Sequence, residues 1–254
     1  MHILKSMVIA FSIYSKIPVP QFDWKEEDMK YMMCFFPWIG AVIGIVLWLW
    51  GMLCEKLEVG NLTYALIGTA IPLLLTGGFH VDGFMDTMDA FHSYQPRERK
   101  LEILKDSHIG AFAAIMLGTC GLLYVGAFAS VTDLELLKGV AAGFFLSRCL
   151  SGLSVVTFPS AKKEGMLHYF ADSAQKKRVQ VILGIEAVFC MAVMVLVAQL
   201  AGILLVAAEL LAFAYYRYRT QKELGGITGD TAGYFIVLSE SAMMLMAAAI
   251  NCLR

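Results

Sequence analysis

The sequence predicts an all-α polytopic membrane bundle, and three observations predict it. The chain has 254 residues, of which 59% are hydrophobic and 16% charged, whereas a soluble domain carries about 25% charged residues. Its mean hydropathy is +0.68. Apolar runs near the length of a membrane span, about 20 residues, recur along the chain. The net charge of −1 leaves neither a basic excess for nucleic acid nor an acidic tail, so no nucleic-acid partner is expected.

The elements follow in chain order. Residues 1–14 are only patchily apolar, and Lys16-Ile17-Pro18-Val19-Pro20 lacks a small-residue cleavage site. That pattern predicts an amphipathic segment at the membrane interface rather than a cleaved signal. Candidate spans then fall at 33–54, 62–79, 110–130, 136–157, 179–199, 202–217 and 232–252. These make about seven spans of one integral membrane domain covering 1–254, or about six if the tight turn at Leu200-Ala201 fails. Cys34, Cys54, Cys120, Cys149, Cys190 and Cys252 lie in or beside apolar runs without a CxxC pair. They read as small hydrophobes, with no disulfide and no zinc site.

Charge sets the orientation. With the N-terminus inside, inside segments hold Lys5, Lys16, Lys25 and Lys30, then Arg97, Arg99, Lys100 and Lys105. Further along they hold Lys162, Lys163, Lys176, Lys177, Arg178, Arg217, Arg219 and Lys222. Outside segments keep only Lys56, Lys138 and Arg254, a bias that follows the positive-inside rule. The polar loops near 80–109, 158–178 and 218–231 are thus expected to face the cytoplasm and to carry the chemistry.

The informative segment is Gly77-Gly78-Phe79-His80-Val81-Asp82-Gly83-Phe84-Met85-Asp86-Thr87-Met88-Asp89-Ala90. Asp82, Asp86 and Asp89 are spaced i, i+4, i+7, which on a helix keeps them within about 60° of one another. Like charges at that spacing repel, and more strongly near a low-dielectric boundary. A divalent cation is the simplest compensation, and Mg²⁺ prefers hard oxygen ligands while keeping waters that a phosphate can replace. The competing reading is a solvated acidic helix end.

A second acidic piece, Lys105-Asp106-Ser107-His108-Ile109-Gly110, closes the same loop after a short helix expected at about 96–105. A third, Gly225-Gly226-Ile227-Thr228-Gly229-Asp230-Thr231, lets backbone N–H groups approach a ligand and puts Asp230 at the entrance of the last span. Five carboxylates and several bases on one face suit a metal-bound phosphate or pyrophosphate. His80 either ligates metal or substrate, or caps the helix. Arg148, within a span, is a functional candidate by default, and otherwise snorkels or pairs with Glu240. Glu186 and Glu209 read best as interhelical hydrogen-bonding groups.

At these residues the sequence resembles the cobalamin synthase family, adenosylcobinamide-GDP ribazoletransferase. The resemblance begins at Ile17-Pro18-Val19-Pro20 and Phe36-Pro37-Trp38-Ile39-Gly40-Ala41-Val42-Ile43-Gly44 and is strongest over 77–89. It continues through Leu104-Lys105-Asp106-Ser107-His108-Ile109-Gly110, Ser147-Arg148, Ala161-Lys162-Lys163-Glu164-Gly165 and 225–231. It departs at Phe79, Phe84, Ala90 and His108.

The resemblance implies a Mg²⁺-dependent transferase in a bacterial or archaeal inner membrane, embedded in the lipid bilayer with its site facing the cytoplasm. A ribose hydroxyl of α-ribazole, or of its 5′-phosphate, attacks the corrinoid-side phosphorus of adenosylcobinamide-GDP. GMP leaves, and adenosylcobalamin or its phosphate results. Asp82, Asp86, Asp89 and Asp106 are the expected metal ligands. Asp82, Asp86, Asp89 and His80 are the expected catalytic groups, with Asp89 as base by analogy with membrane alcohol phosphotransferases. Arg97, Arg99, Lys105, Asp106, Arg148, Lys162, Lys163, Gly229, Asp230 and Glu240 are the expected substrate contacts. A homo-oligomer is compatible with the sequence. Two rivals are a CDP-alcohol phosphotransferase, whose Asp-Gly-x-x-Ala-Arg pattern is missing at Asp82-Gly83-Phe84-Met85-Asp86-Thr87, and a transporter, which related halves would favour.

Overall fold

The computed structural model describes residues 2–161 and 176–253. Among them the regular structure is helical. α1 spans His2–Tyr14, α2 Glu26–Met29, α3 Met32–Lys56, α4 Asn61–Thr76 and α5 Phe79–His92. α6 spans Arg97–Ile103, α7 Ala111–Ser130, α8 Leu134–Thr157, α9 Lys176–Leu224 and α10 Gly229–Cys252. The chain is a helical membrane protein. Five of these helices (α3, α7, α8, α9 and α10) are long and apolar enough to cross a bilayer, and six spans result if the bent pair α4–α5 counts as one.

Each of the seven expected segments coincides with one of these helices or with an arm of one. α9 is 49 residues long but breaks at Gln199, whose φ of 52° is non-helical. Gly202 lies against the backbone of Met194 and Val195, which a straight helix would hold about 12 Å away. α9 is therefore a hairpin with arms 176–198 and 200–224, and its turn sits one residue before the expected Leu200-Ala201. Both arms flank α8, since Gly139 meets Ala198 from one and Leu205 from the other.

α8 is the central post. On its other side α3 packs through Gly40 and Gly44, where a β-carbon would overlap the carbonyls of Phe144 and Ala141. This small-xxx-small spacing lets two helix backbones approach where hydrophobic driving force is weak. The interior of the post is charged. Arg148 (1% exposed) donates through Nη1 to Glu240 Oε1 of α10 at 2.6 Å and to the Phe144 carbonyl at 2.8 Å. Ser147 Oγ also donates to Glu240 Oε1, at 3.2 Å. Of the two bland readings for Arg148, pairing with Glu240 is the one realised. Glu209 and Glu186 make interhelical bonds, accepting from Ser239 Oγ at 3.0 Å and from Trp38 Nε1 at 3.2 Å.

The remaining feature that places the site is the α4–α5 corner. Gly77 and Gly78 have φ of 66° and 79°, a left-handed pair open to glycine. The two helices meet there at 95°. The acidic stripe thus lies on α5, which turns sharply away from the axis of α4.

Candidate active site

The site begins where α5 crosses α10. A β-carbon on Gly83 would stand 2.6 Å from the Asp230 carbonyl oxygen, and one on Gly233 would stand 3.2 Å from the His80 carbonyl. Two glycines therefore let the first turn of α5 lie on the first turn of α10. That turn of α10 is held by a reciprocal cap. Thr228 Oγ1 accepts from the Thr231 N–H at 3.2 Å, and the Thr228 N–H donates to Thr231 Oγ1 at 2.8 Å. The cap fixes Asp230 in the first turn, where the helix dipole favours a negative charge.

The crossing brings Asp82, from α5, and Asp230, from α10, onto one cavity of about 210 Å³. His80, Gly229, Gly83 and Ser151 share its lining with Tyr14, Phe36, Phe79 and several aliphatic side chains. Asp82 is exposed and Asp230 half-buried, so both carboxylates stand where water and a polar substrate can reach them. Asp86, one turn further along α5, is also half-buried.

Asp89 has a different occupation. Its Oδ2 accepts from the Gly110 N–H at 2.6 Å and its Oδ1 from the Ala113 N–H at 2.9 Å. Both donors belong to the start of α7, whose own N-cap residue, Gly110, has no side chain to offer. Asp89 caps α7 from across the fold, satisfying amides that a helix start leaves orphaned.

Asp106 lies in an exposed turn, where Oδ1 accepts from the His108 N–H at 3.0 Å and is 2.7 Å from His108 Nδ1. The hydrogen bonds from His108 hold its carboxyl below the usual value. It is not part of the cavity lining. Neither are Arg99, which pairs with Glu102 at 2.6 Å in solvent, and the exposed Lys105. Arg97 lies with its guanidinium against Gly225 in the glycine loop. Gly225 and Gly226 serve packing there: Gly226 lies against the Pro159–Ala161 backbone, and the Ala161 N–H donates to the Ile227 carbonyl at 2.8 Å. Arg148 and Glu240 are engaged with each other inside the bundle. Lys162 and Lys163 lie outside the described residues.

Sequence reasoning missed two groups. Lys100, which the sequence shows only as part of a basic loop, is buried and paired with Glu223, which pins α6 to the end of α9. Tyr14 and Phe36 come to the cavity from α1 and α3. No local pattern announces them, because only packing brings those helices to α5.

Among the described residues no three His, Cys, Asp or Glu side chains converge tightly enough to enclose a cation. The cavity nevertheless offers two carboxylates from separate helices. That donor set suits Mg²⁺, which is bound through one or two carboxylates plus waters and phosphate oxygens.

The comparisons with known proteins agree on one family. A family model described as cobalamin-5-phosphate synthase matches residues 6–248. An adenosylcobinamide-GDP ribazoletransferase of Lachnoclostridium phytofermentans is 46% identical over 237 residues, covering 93% of this chain and 90% of the relative. Proteins of the same name from Clostridium perfringens (strain SM101) and Desulfitobacterium hafniense are 31% and 32% identical, over 95% and 96% of this chain and 96% of each relative. No solved structure gives a significant match.

Proposed function

This chain belongs to the cobalamin-5-phosphate synthase family, a family of cobalamin-biosynthesis transferases, and from that premise we propose a specific reaction for it. A ribose hydroxyl of α-ribazole, or of its 5′-phosphate, attacks the corrinoid-side phosphorus of adenosylcobinamide-GDP. The new P–O bond forms as the bond to the GMP oxygen breaks. Adenosylcobalamin, or its 5′-phosphate, and GMP are the products.

The observation that carries this reading is the meeting of Asp82 and Asp230 at one cavity through the Gly83 contact. Bound Mg²⁺ would neutralise the pyrophosphate oxygens and ease departure of GMP. Asp82 and Asp230 are the residues to hold it, with Asp86 one turn further along α5 from the first. Asp89 is left out of this set because both its oxygens are occupied by the α7 amides. A carboxylate oxygen in this set that the metal leaves free takes the proton of the attacking hydroxyl. Arg97, next to the glycine loop, is the cation best placed to meet a phosphate there. Gly229 is open above its α-carbon, so its backbone can be approached closely.

The orientation follows from charge. The cavity lies at the end of the bundle where α3, α7 and α10 begin and α8 ends. That end carries Lys16, Arg97, Lys176, Lys177 and Arg178, a basic excess that favours the cytoplasmic side under the positive-inside rule. The expected membrane is the inner membrane.

The test is a reconstituted reaction. Detergent-purified protein, adenosylcobinamide-GDP and α-ribazole are incubated with and without Mg²⁺, and GMP and cobalamin are measured together. The proposal expects the two products in equal amounts and only with the metal. Product formed in excess EDTA would remove the metal from the account, and no product from these substrates would remove the reaction.

A further inference from the structure

We propose that the aromatic end of the cavity is the subsite for the base of the incoming nucleoside, and that His80 recognises that base by donating to its free ring nitrogen. The inference rests on the transferase reading above and assigns a part of one substrate to a part of the site.

Four rings close a circuit there. Tyr14 and Phe36 have centroids 4.6 Å apart, Tyr14 and Phe79 5.5 Å, and His80 lies 5.6 Å from both Phe36 and Phe79. The rings come from α1, α3 and α5. Met33, Ile236 and Val155 complete an apolar lining. Charge is found beside them on Asp82 and Asp230. The cavity therefore has two characters: one side for a flat apolar body and one for phosphate oxygens.

Two rings of the circuit carry polar atoms: the Tyr14 hydroxyl donates to Met33 Sδ at 3.9 Å, and the other is His80. It is 4% exposed, and its Nε2 is buried with no hydrogen-bond partner among the described residues. Buried polar atoms are nearly always paired, so an unpaired one at a cavity points to a partner supplied by a ligand. Nε2 carrying its proton needs an acceptor.

The three large groups of the reaction make different demands. A corrin macrocycle is far too large for this space. Guanine has donors and acceptors along two edges, and this lining would leave most of them unpaired. The benzimidazole of α-ribazole is flat and apolar, and it has a single free ring nitrogen that accepts one hydrogen bond. Stacked against the circuit from the cavity, it sets its ribose toward Asp82 and Asp230, which is where the attacking hydroxyl is needed.

The test separates recognition from turnover. Equilibrium dialysis of the full-length protein in detergent measures binding of α-ribazole and of the 5,6-dimethylindole riboside, in which C–H replaces the free nitrogen. Wild-type protein is expected to bind α-ribazole about tenfold more tightly, the order expected for losing one buried hydrogen bond. In His80→Phe the ratio should fall to about one, with binding of the indole riboside retained as evidence that the cavity is intact. His80→Gln, which keeps an N–H donor, should recover part of the preference. Tyr14→Ala should weaken both ligands alike. A wild-type ratio near one, or a ratio unchanged in His80→Phe, overturns the inference. So does displacement of α-ribazole by GMP accompanied by loss of GMP binding in His80→Phe, because the subsite would then hold guanine. The dialysis contains no adenosylcobinamide-GDP; release of GMP when it is added reads the transferase assignment separately.

Discussion

The two ends of α5 carry the same side chain and have different work. Asp82, in the first turn, opens onto the cavity beside Asp230. Asp89, in the last, holds the first amides of α7. Both lie on one stripe of one helix. What separates them is the partner element: α10 presents a carboxylate and a glycine contact, whereas α7 presents unsatisfied N–H groups. Helical spacing shows that carboxylates share a face, but the neighbour on that face decides what each one does.

That contrast can be broken or sharpened by substitution. The largest effect is expected at Asp82 and Asp230. Replacing either with Asn should lower GMP release by about 10²–10³, the size of losing one charge-stabilising group in a transition state, while the thermal midpoint in detergent stays close to wild type. Equal loss in Asp89→Asn, without a change in the midpoint, would erase the distinction between the two ends.

Gly83→Ala comes next. The added methyl meets the Asp230 backbone, so α5 and α10 must separate at a cost of about 1–3 kcal/mol. Both a lower thermal midpoint and a reduced rate are expected, because the crossing that positions the carboxylates is the part disturbed. A third effect, near 1 kcal/mol of stability, is expected from Asp89→Asn through the weakened α7 cap, with turnover reduced far less than in Asp82→Asn. The smallest belongs to Lys105→Ala. That side chain is exposed and outside the cavity, and its loss should change stability by no more than about 0.5 kcal/mol, measured by the same melting experiment.

Much of this architecture was legible in the sequence, for physical reasons that differ by element. The apolar runs gave every long helix, because a bilayer demands length and hydropathy regardless of packing. The i, i+4, i+7 aspartates gave the helix α5 and its face. Gly-Asp at 229–230 gave the second carboxylate. The 95° corner was less visible: glycines at 77 and 78 marked a flank of the acidic segment, but not that the chain would turn there. The fate of Asp89 was invisible, since it depends on α7 starting with Gly110, a residue unable to cap itself. Nor could the sequence show the ring circuit, whose members stand up to 66 positions apart, from Tyr14 to His80, and meet only when α1, α3 and α5 pack. Arg148 and Glu240 illustrate the middle case. Each is conspicuous as a charge within an apolar run, and the need to satisfy both makes their pairing one of the readings the sequence offers.

The most direct measurement of the central claim uses Mn²⁺ in place of Mg²⁺. Electron paramagnetic resonance counts the ion bound by detergent-purified protein in the presence of adenosylcobinamide-GDP. The account predicts that wild type and Asp89→Asn retain the bound ion, while Asp82→Asn and Asp230→Asn each lose it. Retention by Asp82→Asn together with loss in Asp89→Asn would contradict it.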